Sequence, residues 1–119
     1  MIRIATESDV PQMLSIYAPY VENTTYTFEY DVPSESAFLQ RFRDLTAQFP
    51  WLVCEEGGKI LGYAYGSAPF ARAAYGWCAE DSIYLLPEAQ GRGIGKRLCL
   101  ALEKVLFYQG YQRIYALIT

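Results

Sequence analysis

The sequence predicts one α/β domain built on a mixed sheet, and two local patterns carry the prediction. The first is a pair of extended runs, Trp51 to Glu56 and Lys59 to Ala68, separated by Gly57-Gly58. Both glycines can take positive φ, so the pair reads as an antiparallel hairpin. The second runs from Trp77 to Thr119: an extended stretch, a glycine loop, an apolar helical stripe and a closing apolar run. That series is a βαβ unit, and its two strands should pair in parallel. Size and composition agree, because 119 residues that are 52% hydrophobic and 19% charged suit a single globular domain rather than a disordered chain. A chain of this length should bury roughly 65% of its unfolded surface, enough for a core without disulfide staples.

Taken in order, Ile2-Arg3-Ile4-Ala5 alternates as a short strand, and Ser8 is the expected cap of a first helix carrying Val10, Met13, Leu14 and Tyr17 at helical spacing. Pro33-Ser34-Glu35 opens a second helix with Phe38, Phe42, Leu45 and Phe49 on one face, stopped by Pro50. The hairpin follows, then a loop through Pro69 and Arg72, then a central strand from Trp77 to Leu86 ended by Pro87. The last helix shows Ile94, Leu98, Ala101, Leu102 and Val105 as its apolar stripe and stops at Gly110. Arg113 to Thr119 has strand character. An apolar strand at the end leaves an open ladder edge, so a shortened domain, or a partner chain that completes the sheet, is expected.

Charge and side-chain inventory exclude several function classes. Ten Lys and Arg against thirteen Asp and Glu give a net charge of −3 with no basic run, so no nucleic-acid footprint is present. Histidine is absent, which removes it as general base, proton shuttle and metal ligand. Cys54, Cys78 and Cys99 are odd in number, lack Cys-x-x-Cys spacing and sit in apolar segments. Free, buried thiols in a reducing cytoplasm are expected, with no zinc site. Glu7 and Asp9 stand where a signal peptide would begin its apolar core, so export is not expected. The apolar stretch from Gly62 to Ala79 is broken by Gly66, Pro69, Arg72 and Gly76 and is no membrane span.

The chemistry concentrates in Gln90-Gly91-Arg92-Gly93-Ile94-Gly95-Lys96, placed between a strand and a helix. Glycines there allow close approach, and successive amide N–H groups can surround an anion. A plainer reading makes the glycines a tight turn and the cations solvated surface. A Walker A loop does not fit, because Gly91 is followed five residues on by Lys96 and Lys96 by Arg97. A dinucleotide fingerprint does not fit either: the run is Gly-x-Gly-x-Gly, and after Lys104 the one charged residue is Arg113.

Gln-x-x-Gly-x-Gly after a strand does fit, and with it the chain resembles the GNAT superfamily of acyl-CoA-dependent N-acetyltransferases, nearest the phosphinothricin-acetyltransferase group. The likeness spans essentially the whole chain through Ile2-Arg3-Ile4-Ala5-Thr6, Thr27-Phe28-Glu29, Pro50-Trp51-Leu52-Val53, Ala71-Arg72, Tyr75, Trp77 and Ala79-Glu80. The fold it implies is a central, mostly antiparallel sheet with a parallel βαβ unit that binds acetyl-CoA. The family continues with a further helix and strands that this chain lacks. The tyrosine that usually protonates the leaving thiolate belongs to that portion, and Tyr108 and Tyr111 are poorly placed to replace it.

The resemblance implies that the amides of Gly91, Arg92, Gly93, Ile94, Gly95 and Lys96 hold the CoA pyrophosphate, with Gln90 opening the loop and Arg92, Lys96 and Arg97 adding charge. It lays the pantetheine arm along the backbone of Tyr84, Leu85 and Leu86, whose side chains are core in any reading. It makes Glu80 the base that takes a proton from the acceptor ammonium, a role that apolar neighbours on its strand would favour by raising its pKa above ~4.3. The plainer reading of Glu80 is a strand-end acid or ion-pair partner, and Asp81 is the weaker alternative. Arg72 matches a basic position near the acceptor and suits bidentate contact with a carboxylate, unless it is an ordinary loop arginine. Phe70 stands where the group can carry a second cation. Tyr26, Phe28 and Tyr75 are candidates to line the acceptor pocket, or else core.

The expected activity is direct acetyl transfer from acetyl-CoA to the primary amine of a small amino-acid-like acceptor, without a metal, in the cytoplasm and in a possible homodimer. Acylation of a protein N-terminus or lysine is the neighbouring alternative. A non-catalytic acyl-CoA-binding module is the alternative of a different class, and a nucleotide-dependent oxidoreductase or phosphotransferase stands third.

Overall fold

The hairpin at Gly57-Gly58 sits at the centre of the sheet. The computed structural model describes residues 1–23, 32–67, 78–109 and 113–118, the side chains of 22, 23, 78–81 and 113–118 excepted. Among the described residues five strands run in chain order across one sheet: β1 (Ile2–Ile4), β2 (Trp51–Glu56), β3 (Lys59–Ser67), β4 (Cys78–Leu85) and β5 (Arg113–Ile118). The first four pair antiparallel, with Ile4 opposite Leu52, Trp51 opposite Tyr65 and Tyr63 opposite Tyr84. Then β4 and β5 pair in parallel from Cys78↔Arg113 to Ile83↔Ile118. Both predicted pairings are present.

Three α-helices among the described residues cover the sheet: α1 (Val10–Asn23) and α2 (Glu35–Thr46) on one face, α3 (Ile94–Tyr108) on the other. The first face is aromatic, with Tyr17, Phe38, Phe42, Trp51, Tyr63 and Tyr84 buried together. Trp51 stacks on Tyr65 at 4.2 Å between centroids. The second face is aliphatic, with Leu52, Leu61 and Ile83 beneath Ile94, Leu98, Leu102 and Leu106. A four-residue row on α3 thus completes the core at Leu106, while the predicted Val105 is 36% exposed.

Three local expectations change. Ser8 does not cap α1; its hydroxyl meets the Thr6 hydroxyl at 2.8 Å. A 3-10 turn at Glu7–Asp9 precedes the helix, and the Asp9 carboxylate accepts from the Thr6 N–H at 2.8 Å. That carboxylate is the stronger acceptor, and it is also bound by both Arg3 Nη atoms at 2.8 Å. Helix α2, capped by Ser34 Oγ accepting from Ala37 N–H at 3.1 Å, stops at Thr46. Phe49 therefore leaves the α2 stripe and packs in the aliphatic core with Leu106. Finally, β3 carries a bulge: the register steps from Glu55↔Ile60 to Cys54↔Gly62, so Leu61 is an extra residue. The bulge lets Ile60 and Tyr63 share the aromatic face while Leu61 points to the aliphatic one. Gly62 is required there, because a Cβ would sit 3.0 Å from the Tyr84 carbonyl and collide with Leu85.

Cys54 is buried and Cys99 half-buried, the latter with Sγ 3.6 Å from Glu103 Oε1; neither is in a disulfide.

Candidate acyl-donor site

The site begins where β4 ends. The Leu86 N–H donates to the Leu61 carbonyl on β3 at 2.9 Å. The N–H of one residue and the C=O before it belong to one planar peptide and point opposite ways. The Leu85 carbonyl therefore faces the other edge of β4, the one that pairs with β5 from Cys78 to Ile83. The Tyr84 side chain lies in the aromatic core, 5.2, 5.1 and 5.4 Å from the rings of Tyr17, Tyr20 and Tyr63. Leu85 points instead to the α3 face, so that a Cβ on Gly95 would lie 3.3 Å from it. Gly95 allows the helix to start this close to the strand.

Beyond Leu86, a 3-10 turn at Pro87–Ala89 leads through the exposed Gln90 to Gly91 at φ +81° and Gly93 at φ +76°. Side chains strain at such angles, and nothing lies within 4 Å of a Cβ at either position, so the space beside the loop is open. Gly93 is the N-cap of α3 and has no side chain to satisfy the amides that follow. The Arg97 N–H is the first to find a helical acceptor, Gly93 C=O at 3.1 Å. Ile94, Gly95 and Lys96 thus present their N–H groups at the positive end of a 15-residue helix. This is an arrangement that fits a pyrophosphate.

The predicted cations divide. Arg92 Nη2 is bound to Glu56 Oε2 at 2.9 Å, on the hairpin rather than over the loop. Lys96 and Arg97 stand exposed on the first turn of α3.

Glu80 is held by its backbone between Ser67 on β3 and Tyr115 on β5. Six residue steps separate it from Leu86, roughly 20 Å at ~3.3 Å per step. A ligand reaching both must carry its anionic end at the loop and its reacting end along β4. The side chain of Glu80, and the whole of Arg72, Tyr75, Phe28, Tyr26, Phe70 and Tyr111, lie outside the described residues. Tyr108, 94% exposed at the far end of α3, is roughly 20 Å of helix from the loop. Tyr20 is not singled out by the sequence, yet its hydroxyl donates to the Leu85 carbonyl at 2.9 Å. Its one sequence signal is a place in the α1 pattern three residues after Tyr17. A groove of about 440 Å³ near β1, lined by Thr6, Phe42, Phe49 and Val105 among others, contains none of these residues.

Among the described residues no three His, Cys, Asp or Glu side chains converge as a metal site, and no helix is long and apolar enough to cross a membrane.

The chain is 39% identical over 102 residues to phosphinothricin N-acetyltransferase of Alcaligenes faecalis, covering 85% of this chain and 52% of that protein. It is 34% identical over 122 aligned residues to L-methionine sulfoximine/L-methionine sulfone acetyltransferase of Pseudomonas aeruginosa, covering 98% of this chain and 69% of that one. The crystal structure of a GNAT superfamily phosphinothricin acetyltransferase from Sinorhizobium meliloti in complex with AcCoA superposes with a TM-score of 0.91 at 39% identity, over 98% of this chain and 64% of that chain. This chain therefore spans between about half and two thirds of the length of these relatives. The sequence model of the acetyltransferase (GNAT) family matches residues 12–119, from within α1 through the loop to β5, and the chain belongs to that family.

Proposed function

We propose that this chain moves an acetyl group from acetyl-CoA to the primary amine of a small amino-acid-like acceptor of the phosphinothricin or methionine sulfone type. The uncapped start of α3 beyond Gly93, open on one side and joined to the strand that carries Glu80, is the observation that carries the reading. The relatives named as acetyltransferases of phosphinothricin and methionine sulfone support the substrate class.

Acetyl-CoA, when bound, supplies an acetyl group activated as a thioester, whose C–S bond breaks as the new C–N bond forms. The chain's own part is to bind, align and deprotonate. The amides of Ile94, Gly95 and Lys96 hold the pyrophosphate, with Gly91 and Gly93 making room for it and Lys96 and Arg97 adding positive charge. The end of β4, at Tyr84, Leu85 and Leu86, lines up the extended arm through its backbone. Glu80 accepts a proton from the acceptor ammonium and leaves the neutral amine whose lone pair can attack. Arg72 holds the acceptor carboxylate as a bidentate pair, and Tyr26, Phe28 and Tyr75 enclose its side chain. The reaction needs no metal, and the net charge of −3 gives no footprint for nucleic acid. Three cysteines without the pattern of a disulfide framework suit the cytoplasm, and a homodimer belongs to the same reading.

The test is release of free CoA thiol from acetyl-CoA with a panel of amino acids that includes phosphinothricin and methionine sulfone. Acceptor-dependent release should fall roughly 10²–10⁴-fold in Glu80→Gln, with acetyl-CoA affinity unchanged. Release that ignores the acceptor, or survives the substitution, contradicts the proposal.

A further inference from the structure

We infer that Tyr20 is a positioning residue for the acyl donor, fixing the edge of β4 along which the donor's arm lies; the inference rests on the acetyl-CoA reading of the loop. The Leu85–Leu86 peptide is tied at both ends. Its N–H donates to Leu61 on β3, and its carbonyl accepts from the Tyr20 hydroxyl on α1, each at 2.9 Å. The second tie falls on the edge that faces away from β3, at the last residue of β4. An extended, amide-bearing ligand that pairs with this strand would do so along that edge, in the manner of an added strand.

The surroundings make the tie rigid. The Tyr20 ring meets Tyr84 edge-on at 5.1 Å, so the helix and the strand are locked by ring contact as well as by the hydroxyl. Leu85 also reaches the first turn of α3, 3.3 Å from the Cβ position of Gly95. One residue thus links α1, the arm-bearing edge and the helix whose amides face the loop. A carbonyl oxygen has two lone pairs, so Leu85 can accept from Tyr20 and from a ligand amide together. Tyr20 therefore orders the edge before the ligand arrives, which lowers the ordering cost of binding.

Tyr20→Phe keeps the ring contact and removes the hydroxyl. Calorimetry with acetyl-CoA should show affinity weakened roughly 3- to 10-fold, the span of one neutral hydrogen bond. In the unliganded chain, hydrogen exchange should speed up about tenfold at the Leu86 amide and stay unchanged at Val53 in the sheet centre. Where turnover is followed, KM for acetyl-CoA should rise while kcat and the acceptor KM hold. Unchanged affinity, or unchanged exchange at Leu86, overturns the inference, and so does tighter binding, which would make Tyr20 an obstacle in the arm's place. Wild type that fails to bind acetyl-CoA overturns the reading of the loop and this inference with it; wild type that binds while Tyr20→Phe binds equally well overturns this inference alone.

Discussion

Gly57-Gly58 and the Gly91–Gly93 loop both rely on left-handed glycines, consecutive in the first at φ +58° and +81° and separated by Arg92 in the second at +81° and +76°. At none of the four would a Cβ meet an atom within 4 Å. The two differ in the element that each turn leads into. After Gly58 the chain enters a strand, and the Ile60 N–H is already satisfied by the side chain of Gln12 at 2.9 Å. After Gly93 it enters a helix whose first amides have no side-chain cap. The two turns are neighbours, joined by Glu56–Arg92 at 2.9 Å and Lys59–Glu88 at 3.2 Å. Left-handed glycine geometry makes a turn in both places; helix-start donors without a side-chain cap are added in the second.

The strongest way to break that contrast is to place the same side chain in both turns. Gly93→Val should weaken acetyl-CoA binding by at least ~100-fold, because losing the loop conformation removes several charge-assisted hydrogen bonds of ~1.5–3 kcal/mol each. Gly58→Val, at a matching φ, should lower the melting temperature and leave the dissociation constant within about twofold. Equal effects on binding would erase the distinction.

A second variant sharpens the hairpin side. Arg3 ties the buried Asp9 to Glu55, next to the turn residue Glu56, through contacts of 2.8 and 2.6 Å. The Arg3 guanidinium holds the Asp9 carboxyl below the usual carboxylate range, with the Thr6 amide helping against the effect of burial. A carboxyl whose folded pKa is depressed stabilises the fold above its unfolded pKa of ~3.9, and the contribution is lost as pH falls through the folded value. Asp9→Asn should therefore cost about 1–3 kcal/mol at pH 7, with the gap to wild type closing in thermal melts below about pH 4. Acetyl-CoA affinity at pH 7 should not change with it.

The smallest effect belongs to the link between the turns. Arg92 and Glu56 are each about half exposed, and surface pairs of that kind contribute ~0–1 kcal/mol. Arg92→Ala should change acetyl-CoA affinity less than about twofold at roughly 150 mM salt, where exposed charges are screened beyond ~8 Å. A tenfold loss would mean that Arg92 leaves Glu56 to bind the phosphates.

Much of the fold is legible because it is written in short-range patterns. Alternation around Gly57-Gly58 sets the hairpin, and strand, glycines and helical stripe set the parallel unit. The departures have long-range causes. Phe49 continues the α2 spacing, but its place is decided by Leu106, far along the chain. Gly62 answers the approach of Leu85, and Arg92 finds Glu56 across 36 residues. Ser8 has the residue type of a cap, yet Asp9 is the stronger acceptor and Arg3 holds it in place. The glycine loop can be read because its left-handed turns need glycine, which the sequence displays directly. Tyr20 cannot, since nothing in α1 announces that its hydroxyl ends on a carbonyl 65 residues away. Arg72, Tyr75, Phe28 and Tyr26, which the resemblance names for the acceptor side, fall outside the described residues.

On the proposed reading the amides at the start of α3 receive an anion and those of the hairpin turn do not, a contrast that titration of ¹⁵N-labelled chain with acetyl-CoA reads out as backbone amide shifts. The largest changes should fall at Gly93, Ile94, Gly95 and Lys96, with Gly57 and Gly58 nearly still. Saturable binding that leaves the α3 amides unmoved, or moves both turns alike, would contradict that reading.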